Sequence, residues 1–226
     1  MKLTILYPGY FPSLAWWQKL LAADVVVLLD DHPLPTGAHL NRTTIKTIEG
    51  KKAMTVPVLH PQQRPMLSEI KIDPTSHWQR THLNTLNSNY RHAPYFDHYL
   101  PELANFFANS FLYLIELNLA GLRLISQFLH LLPQIHLSSE ADGADSREQR
   151  VIHLLRHFGC QTYVIEENCS AYFNCQVLVN SGYAIETLRP GAYHYQQQFG
   201  DFIPGLSILD ALLNEGPAVK QLVLNK

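Results

Sequence analysis

Two short apolar runs joined by a helix-length segment constrain this chain most: Lys2–Leu6 (KLTIL) and Val25–Leu29 (VVVLL), with SLAWWQKLLAAD between them. Both runs read as buried strands. Leu14, Trp17, Leu20 and Leu21 recur at helical spacing in the connecting segment, and Ser13 stands where an N-cap belongs. The opening is therefore β-α-β, a unit whose strands are almost always parallel neighbours in one sheet. In such sheets ligands bind in the crevice beyond the carboxyl ends of the strands, so the loop after the first strand, YPGYFP, faces that crevice.

Thr43–Ile48 and Lys52–Val58 flank Glu49-Gly50 as a hairpin, and Glu69–Ile72 reads as a further strand beside them, giving a mixed sheet. Helical spacing dominates from Thr75 to Leu132, with Pro94 and Pro101 marking starts or interruptions and a last long helix near Phe111–Leu131. The polar stretch HLSSEADGADSREQ predicts a mobile loop over 136–146, with Asp145 or Ser146 capping a helix from Arg147 to Phe158. Strands at Thr162–Ile165 and Tyr183–Leu188 follow, then an aromatic and glutamine-rich loop, then a helix Leu206–Asn214 closed by Gly216-Pro217. The expected fold class is α/β. One compact domain spans 1–226, its core drawn from 1–74 and 145–226 and its helical insertion from 75–132.

Apolar residues make up 46% and charged residues 16%, enough hydrophobic surface for a packed interior and too little charge for disorder. A net charge of −2 offers no general attraction to phosphate backbones or anionic lipid, which disfavours nucleic-acid and membrane partners. The longest apolar stretch, Phe106–Leu132, is interrupted by Asn109, Glu116, Asn118, Arg123 and His130, so no membrane-spanning helix is expected. The first residues are too short for a signal peptide, and three cysteines are an odd count for a disulfide framework. Reduced thiols and a cytoplasmic location are the expectation.

Asp30 and Asp31 close the second strand, where adjacent carboxylates suit general-base work or a metal, although either can simply pair with Arg42 or Lys46. Asn41, Arg42 and Lys46 form a compact basic and amide cluster suited to an anionic group. In the last loop His194 lies among tyrosines and Gln196, Gln197 and Gln198, a setting for a general base. Ser207 and Asp210 there also fit a helix-start box. His153 and His157 have the spacing of a metal pair, with Cys160 close behind and Cys169 or Cys175 available. That pattern matches no common zinc motif, and an exposed helix face accounts for the two histidines. G-x-S-x-G, P-loop and H-E-x-x-H sequences are absent, so no cofactor is named.

The segments YPGYFPSLAWWQK, LLDD, NRTTIKT, MTVPV, NYRHAPYFDHY, LIELNLAGLRLI and QFGDFIPGLSILDALLNEG, in this order, resemble the WbqC-like family along nearly the whole chain. The family opening has the form Q-P-x-Y-F-P-x-x-G-Y-x-x-K. The resemblance implies a cytoplasmic, transferase-like enzyme of surface-polysaccharide or natural-product biosynthesis, acting on a small molecule such as a nucleotide-linked amino sugar and compatible with a homo-oligomer. It implies site positions at Asp30 and Asp31, the candidate catalytic carboxylates beside the His194 read from the last loop, and at Tyr10, Lys19, Asn41, Arg42, Lys46, Gln198, Ser207 and Asp210 as candidate substrate contacts. The chain departs from the pattern at Tyr7, where glutamine is common, at His32-Pro33, and in the final loop, which lacks the usual proline. These departures leave room for another substrate, or for a non-catalytic binding or scaffold role.

Overall fold

In the computed structural model, which describes residues 1–33, 37, 39–59, 65–141, 146–167, 173–189, 191 and 193–224, the β-α-β opening is the centre of the sheet. β1 (Lys2–Leu6) runs parallel to β2 (Val25–Leu28), with Leu3 opposite Val25 and Leu6 opposite Leu28, and α1 (Leu14–Leu21) joins them. The spacing of Leu14, Trp17 and Leu20 turns all three into the interior, where Trp17 and Leu20 are fully buried. Each such side chain contributes roughly 2–3 kcal/mol by leaving water.

The chain then leaves the sheet for about a hundred residues. β3 (Arg42–Thr47) and β4 (Gly50–Thr55) form an antiparallel hairpin, followed by α2 (Trp78–Tyr90), α3 (Phe96–Ala108) and α4 (Leu114–Phe128). It returns as β5 (Gln134–Leu137) beside β2, crosses through α5 (Arg147–His157) to β6 (Thr162–Glu166) beside β1, and ends the sheet through α6 (Cys175–Asn180) at β7 (Ala184–Leu188). α7 (Ile208–Glu215) and α8 (Val219–Leu224) complete the fold. The strand order is β5-β2-β1-β6-β7, all parallel.

The order reverses between β1 and β6, and crossovers of one hand place the helices before and after such a reversal on opposite faces. The packing agrees. Leu3, Val25 and Val27 meet Val151, Leu154 and Leu155 of α5 and Leu178 of α6, while Leu6, Val26 and Leu28 meet α1, the inserted helices and α7. Strand side chains alternate between the two layers, so both faces are buried and the strands are rich in branched aliphatics.

The α/β class expected from the sequence is present as a five-stranded parallel sheet and a separate antiparallel pair. Two local readings change. Glu69–Ile72 is not a strand: a single 3-10 turn at Leu67–Glu69 leads into lone bridges between Lys71 and Tyr113 and between Ile72 and Val58. The loop expected over 136–146 begins inside β5 and continues as a 3-10 turn, Ser138–Glu140; residues 142–145 lie outside the described part. Ser138 is fully buried because its hydroxyl is bonded to aspartates rather than to water. Gly216-Pro217 closes α7 as expected, and Pro217 then starts a 3-10 turn that leads into α8, a position where its missing N–H is harmless. No helix among the described residues is long and apolar enough to cross a membrane.

Candidate functional site

Beyond the carboxyl end of β2, Asp30 and Asp31 turn toward the end of β5. Asp30, 6% exposed, accepts hydrogen bonds from the Ser139 N–H at 3.0 Å and the Ser139 hydroxyl at 2.6 Å. Ser138 Oγ accepts from the Asp30 N–H at 3.2 Å and lies against both carboxylates, its one proton serving one of them at a time. Arg150 on α5 donates to Asp31 at 2.8 Å and to the Ser138 carbonyl at 2.6 Å. Its guanidinium is almost wholly buried, whereas Asp31 keeps 31% of its side chain in water. Asp30 is thus a clamp holding the 3-10 turn, and Asp31 is the carboxylate that solvent reaches.

A second pair stands beside this one. His136 Nδ1 lies 3.0 Å from Glu140 Oε2, and Glu140 Oε1 accepts from the Leu137 N–H, also at 3.0 Å. That backbone bond, and after it His136, pull the Glu140 pKa below the usual carboxylate range, which keeps it an acceptor. The His136 ring stacks on Phe158 at 4.5 Å. An imidazole oriented by a carboxylate in this way can hold or move a proton through its other nitrogen. Tyr7, at the end of β1, is half-buried, and burial raises its pKa while nearby Arg147 lowers it.

The remaining candidates gather elsewhere. The turn after β1, the hairpin and the final loop do meet, but as packed interior. Tyr10 is 1% exposed and its hydroxyl lies 2.9 Å from His82 Nδ1. Thr43 Oγ1 and Ser207 Oγ both donate to the Phe11 carbonyl, at 2.8 and 2.9 Å, and fix Phe11 in the left-handed region at φ 43°. Lys46, 1% exposed, donates to the Gly200 and Asp201 carbonyls, and Asp210, 0% exposed, accepts from the Tyr90 and Tyr195 hydroxyls. Gln198, with its amide oriented as its neighbours require, bonds Asn89 and Ala93 at 2.7 Å each. Asn41 donates to the Val56 carbonyl at the neck of the hairpin, and Arg42 is exposed. Lys19 reaches Glu166 at the end of β6, 3.5 Å away. His194 is exposed and stacks on Phe202 at 4.3 Å; it shares no contact with Asp30 or Asp31.

His82 gives this junction a pH signature. Its partners define a neutral tautomer in which Nδ1 accepts from Tyr10 and the other nitrogen faces the Thr55 carbonyl. Burial lowers its pKa from 6.5 to about 4. The unfolded chain therefore takes up this proton before the folded one does, and stability, full above pH 6.5, falls as the pH drops toward 4. The loss attributable to His82 is roughly 3 kcal/mol. Urea titrations at pH 7.5 and 4.5 are expected to show it, and His82→Gln to flatten that part of the slope.

A model of the WbqC-like protein family matches residues 7–221. The chain belongs to that family. It is also similar to an uncharacterised protein of Mycobacterium tuberculosis (strain ATCC 25618 / H37Rv), Rv1507c, with 27% identity over 222 residues, 95% of this chain and 94% of the relative. No solved structure matches.

In this WbqC-like protein the cluster at the sheet edge includes five residues that sequence reasoning passed over: His136, Ser138, Ser139, Glu140 and Arg150. A mobile-loop reading hid the first four, whose only sign of a turn is Glu140 placed three residues after Leu137, where it reaches back to the Leu137 N–H. Arg150, by contrast, follows no motif. The histidines thought able to hold zinc stack on each other at 6.3 Å along α5, and Cys160 is buried with its thiol toward the Phe158 carbonyl. Among the described residues no three potential metal ligands converge; Cys169 lies outside them.

Proposed function

We propose that this WbqC-like protein is a transferase acting on an activated small molecule of the nucleotide-linked amino sugar class, bound beyond the carboxyl ends of β1, β2 and β5. The observation that carries this reading is the Asp31–Arg150 and His136–Glu140 pairs standing together at that end of a parallel sheet. Arg147, exposed in the first turn of α5, supplies positive charge for a diphosphate, Arg150 holds Asp31 in place, and His136, held by Glu140, moves the proton of an attacking amine or hydroxyl. His194 has no carboxylate partner among the described residues to orient its ring, and stands second to His136. The role in surface-polysaccharide or natural-product biosynthesis belongs to the same proposal.

The test is a thermal-shift and calorimetry panel of nucleotide-linked sugars, followed by turnover assays with amine and hydroxyl acceptors. A ligand that binds tightly raises the melting temperature by mass action. With such a substrate, His136→Gln is expected to lower turnover by about 10²-fold or more while leaving the melting temperature nearly unchanged, because the pair is on the surface. A panel in which nothing binds overturns the proposal.

One observation favours a second reading, a non-catalytic binding protein: every carboxylate oxygen of Asp30 and Asp31 is already bonded within the chain. Tight binding without turnover for any acceptor, and His136→Gln without effect on affinity, would select it.

A further inference from the structure

Between the second half of α4 and β5 the surface opens into a groove of about 790 Å³ lined by Leu119, Leu122, Leu131, Ile135, Leu137 and neighbouring residues. Three features make it more than a dent. β5 is an edge strand, bonded to β2 on one side only. Leu132, on the groove rim at the entrance to β5, is 99% exposed, the largest value among the exposed apolar side chains. The rim also carries both signs of charge: Arg123 near the start of β5 and Glu140 beyond its end.

We propose that this face pairs with a second copy of the same chain, the two β5 strands running antiparallel about a two-fold axis. A two-fold contact requires one patch to hold both halves of each interaction. This patch does. Antiparallel pairing sets the beginning of one β5 beside the end of the other, so Leu132 of each copy reaches the other's groove near Leu137. The same operation brings the exposed Arg123 of each copy toward the other's half-exposed Glu140, a pairing of opposite charges that an isolated chain does not make.

The backbone fixes the register. N–H and C=O groups of alternate residues in a strand point the same way. The Leu137 N–H points away from β2, since it donates to Glu140. Ile135, two residues earlier, therefore presents its N–H and C=O outward, and a two-fold axis at Ile135 makes a reciprocal pair of backbone hydrogen bonds. An exposed edge beside an apolar groove is also a template for aggregation unless something covers it, and one defined partner removes that hazard. The pairing extends the sheet to ten strands, five from each copy, and leaves both carboxyl-end crevices open, because they point in opposite directions.

Sedimentation equilibrium or light scattering on the full chain tests this directly. The expected result is a concentration-dependent species of twice the 25.8 kDa chain mass. Leu132→Lys is expected to give the monomer with an unchanged melting curve of the single chain, since that side chain touches nothing in it. Ile135→Pro is expected to give the monomer as well, because an edge strand tolerates proline where the N–H faces out, with a lower melting temperature from the lost packing of Ile135 on the core. A species that stays at the chain mass up to the solubility limit overturns the proposal. So does a dimer that survives both substitutions, which would use another surface. So does a monomer whose groove takes up an apolar dye lost on Leu132→Lys, which would assign the groove to a small ligand.

Discussion

Replacing Asp210 by alanine is expected to lower the folding stability by about 4 kcal/mol, the largest effect of any single polar change in this protein. Asp210 is 0% exposed, and its carboxylate receives the Tyr90 hydroxyl at 2.5 Å and the Tyr195 hydroxyl at 2.8 Å. Tyr90 is itself pinned, its oxygen accepting from the Lys46 N–H at 3.0 Å. Burial, and then the Asp210 charge, push both tyrosine pKa values far up, so the two hydroxyls keep their protons and donate. Burial also raises the Asp210 pKa, while the tyrosine bonds and the Lys46 charge pull the other way. Alanine at 210 strands three groups at once: two buried hydroxyls without their acceptor, and a buried ammonium left with only the Gly200 and Asp201 carbonyls. Lys46→Met should be costly for the mirror reason. The double replacement Lys46→Met/Asp210→Ala should cost less than the sum, because neither charge is then left alone. Chemical denaturation of the four proteins measures this, and a strictly additive cycle would show that the two charges do not act on each other.

That network also shows what could and could not be read in the sequence. The parallel β1-α1-β2 unit was legible because hydrophobic periodicity is a local signal, and five apolar residues bounded by turn residues leave few alternatives. Lys46, Ser207 and Asp210 were legible as notable residues, and the hairpin and last helix do meet. Their burial was not legible. Nothing in NRTTIKT or GLSILDALL tells that a lysine and an aspartate separated by so much chain will close on each other inside the core, since that follows from tertiary packing. β5 was missed for a related reason. QIHL is four residues with two polar ones, and it becomes a strand only because β2 offers it a partner edge. With that strand misread, the serines that bind Asp30 and the His136–Glu140 pair were taken for solvated loop. Sequence reasoning thus found the sheet edge where the candidate site lies but, of the residues that build it, only Asp30 and Asp31.

Placing alanine at Gly216 is expected to be nearly as damaging as the loss of Asp210, for purely steric reasons. Gly216 closes α7 with φ 57° and ψ −133°, a conformation that glycine reaches freely and other residues do not. A Cβ there would also lie 2.4–2.6 Å from three atoms of the Tyr95 ring, far inside van der Waals contact. Tyr95 cannot simply step aside with its backbone, because its N–H is bonded to the Leu213 carbonyl of α7 at 3.1 Å. Backbone strain of about 1–3 kcal/mol and overpacking of a further 1–3 kcal/mol sum to about 4 kcal/mol. The two contributions separate experimentally. Gly182 also has a positive φ, 87°, but a Cβ added there meets nothing within 4 Å, so Gly182→Ala should show the backbone part alone, about 1 kcal/mol. In a Tyr95→Ala background, Gly216→Ala should lose its steric part and fall toward its backbone part. If Gly216→Ala costs as much with Tyr95 removed as with it present, the ring is not what forbids a side chain at the end of α7.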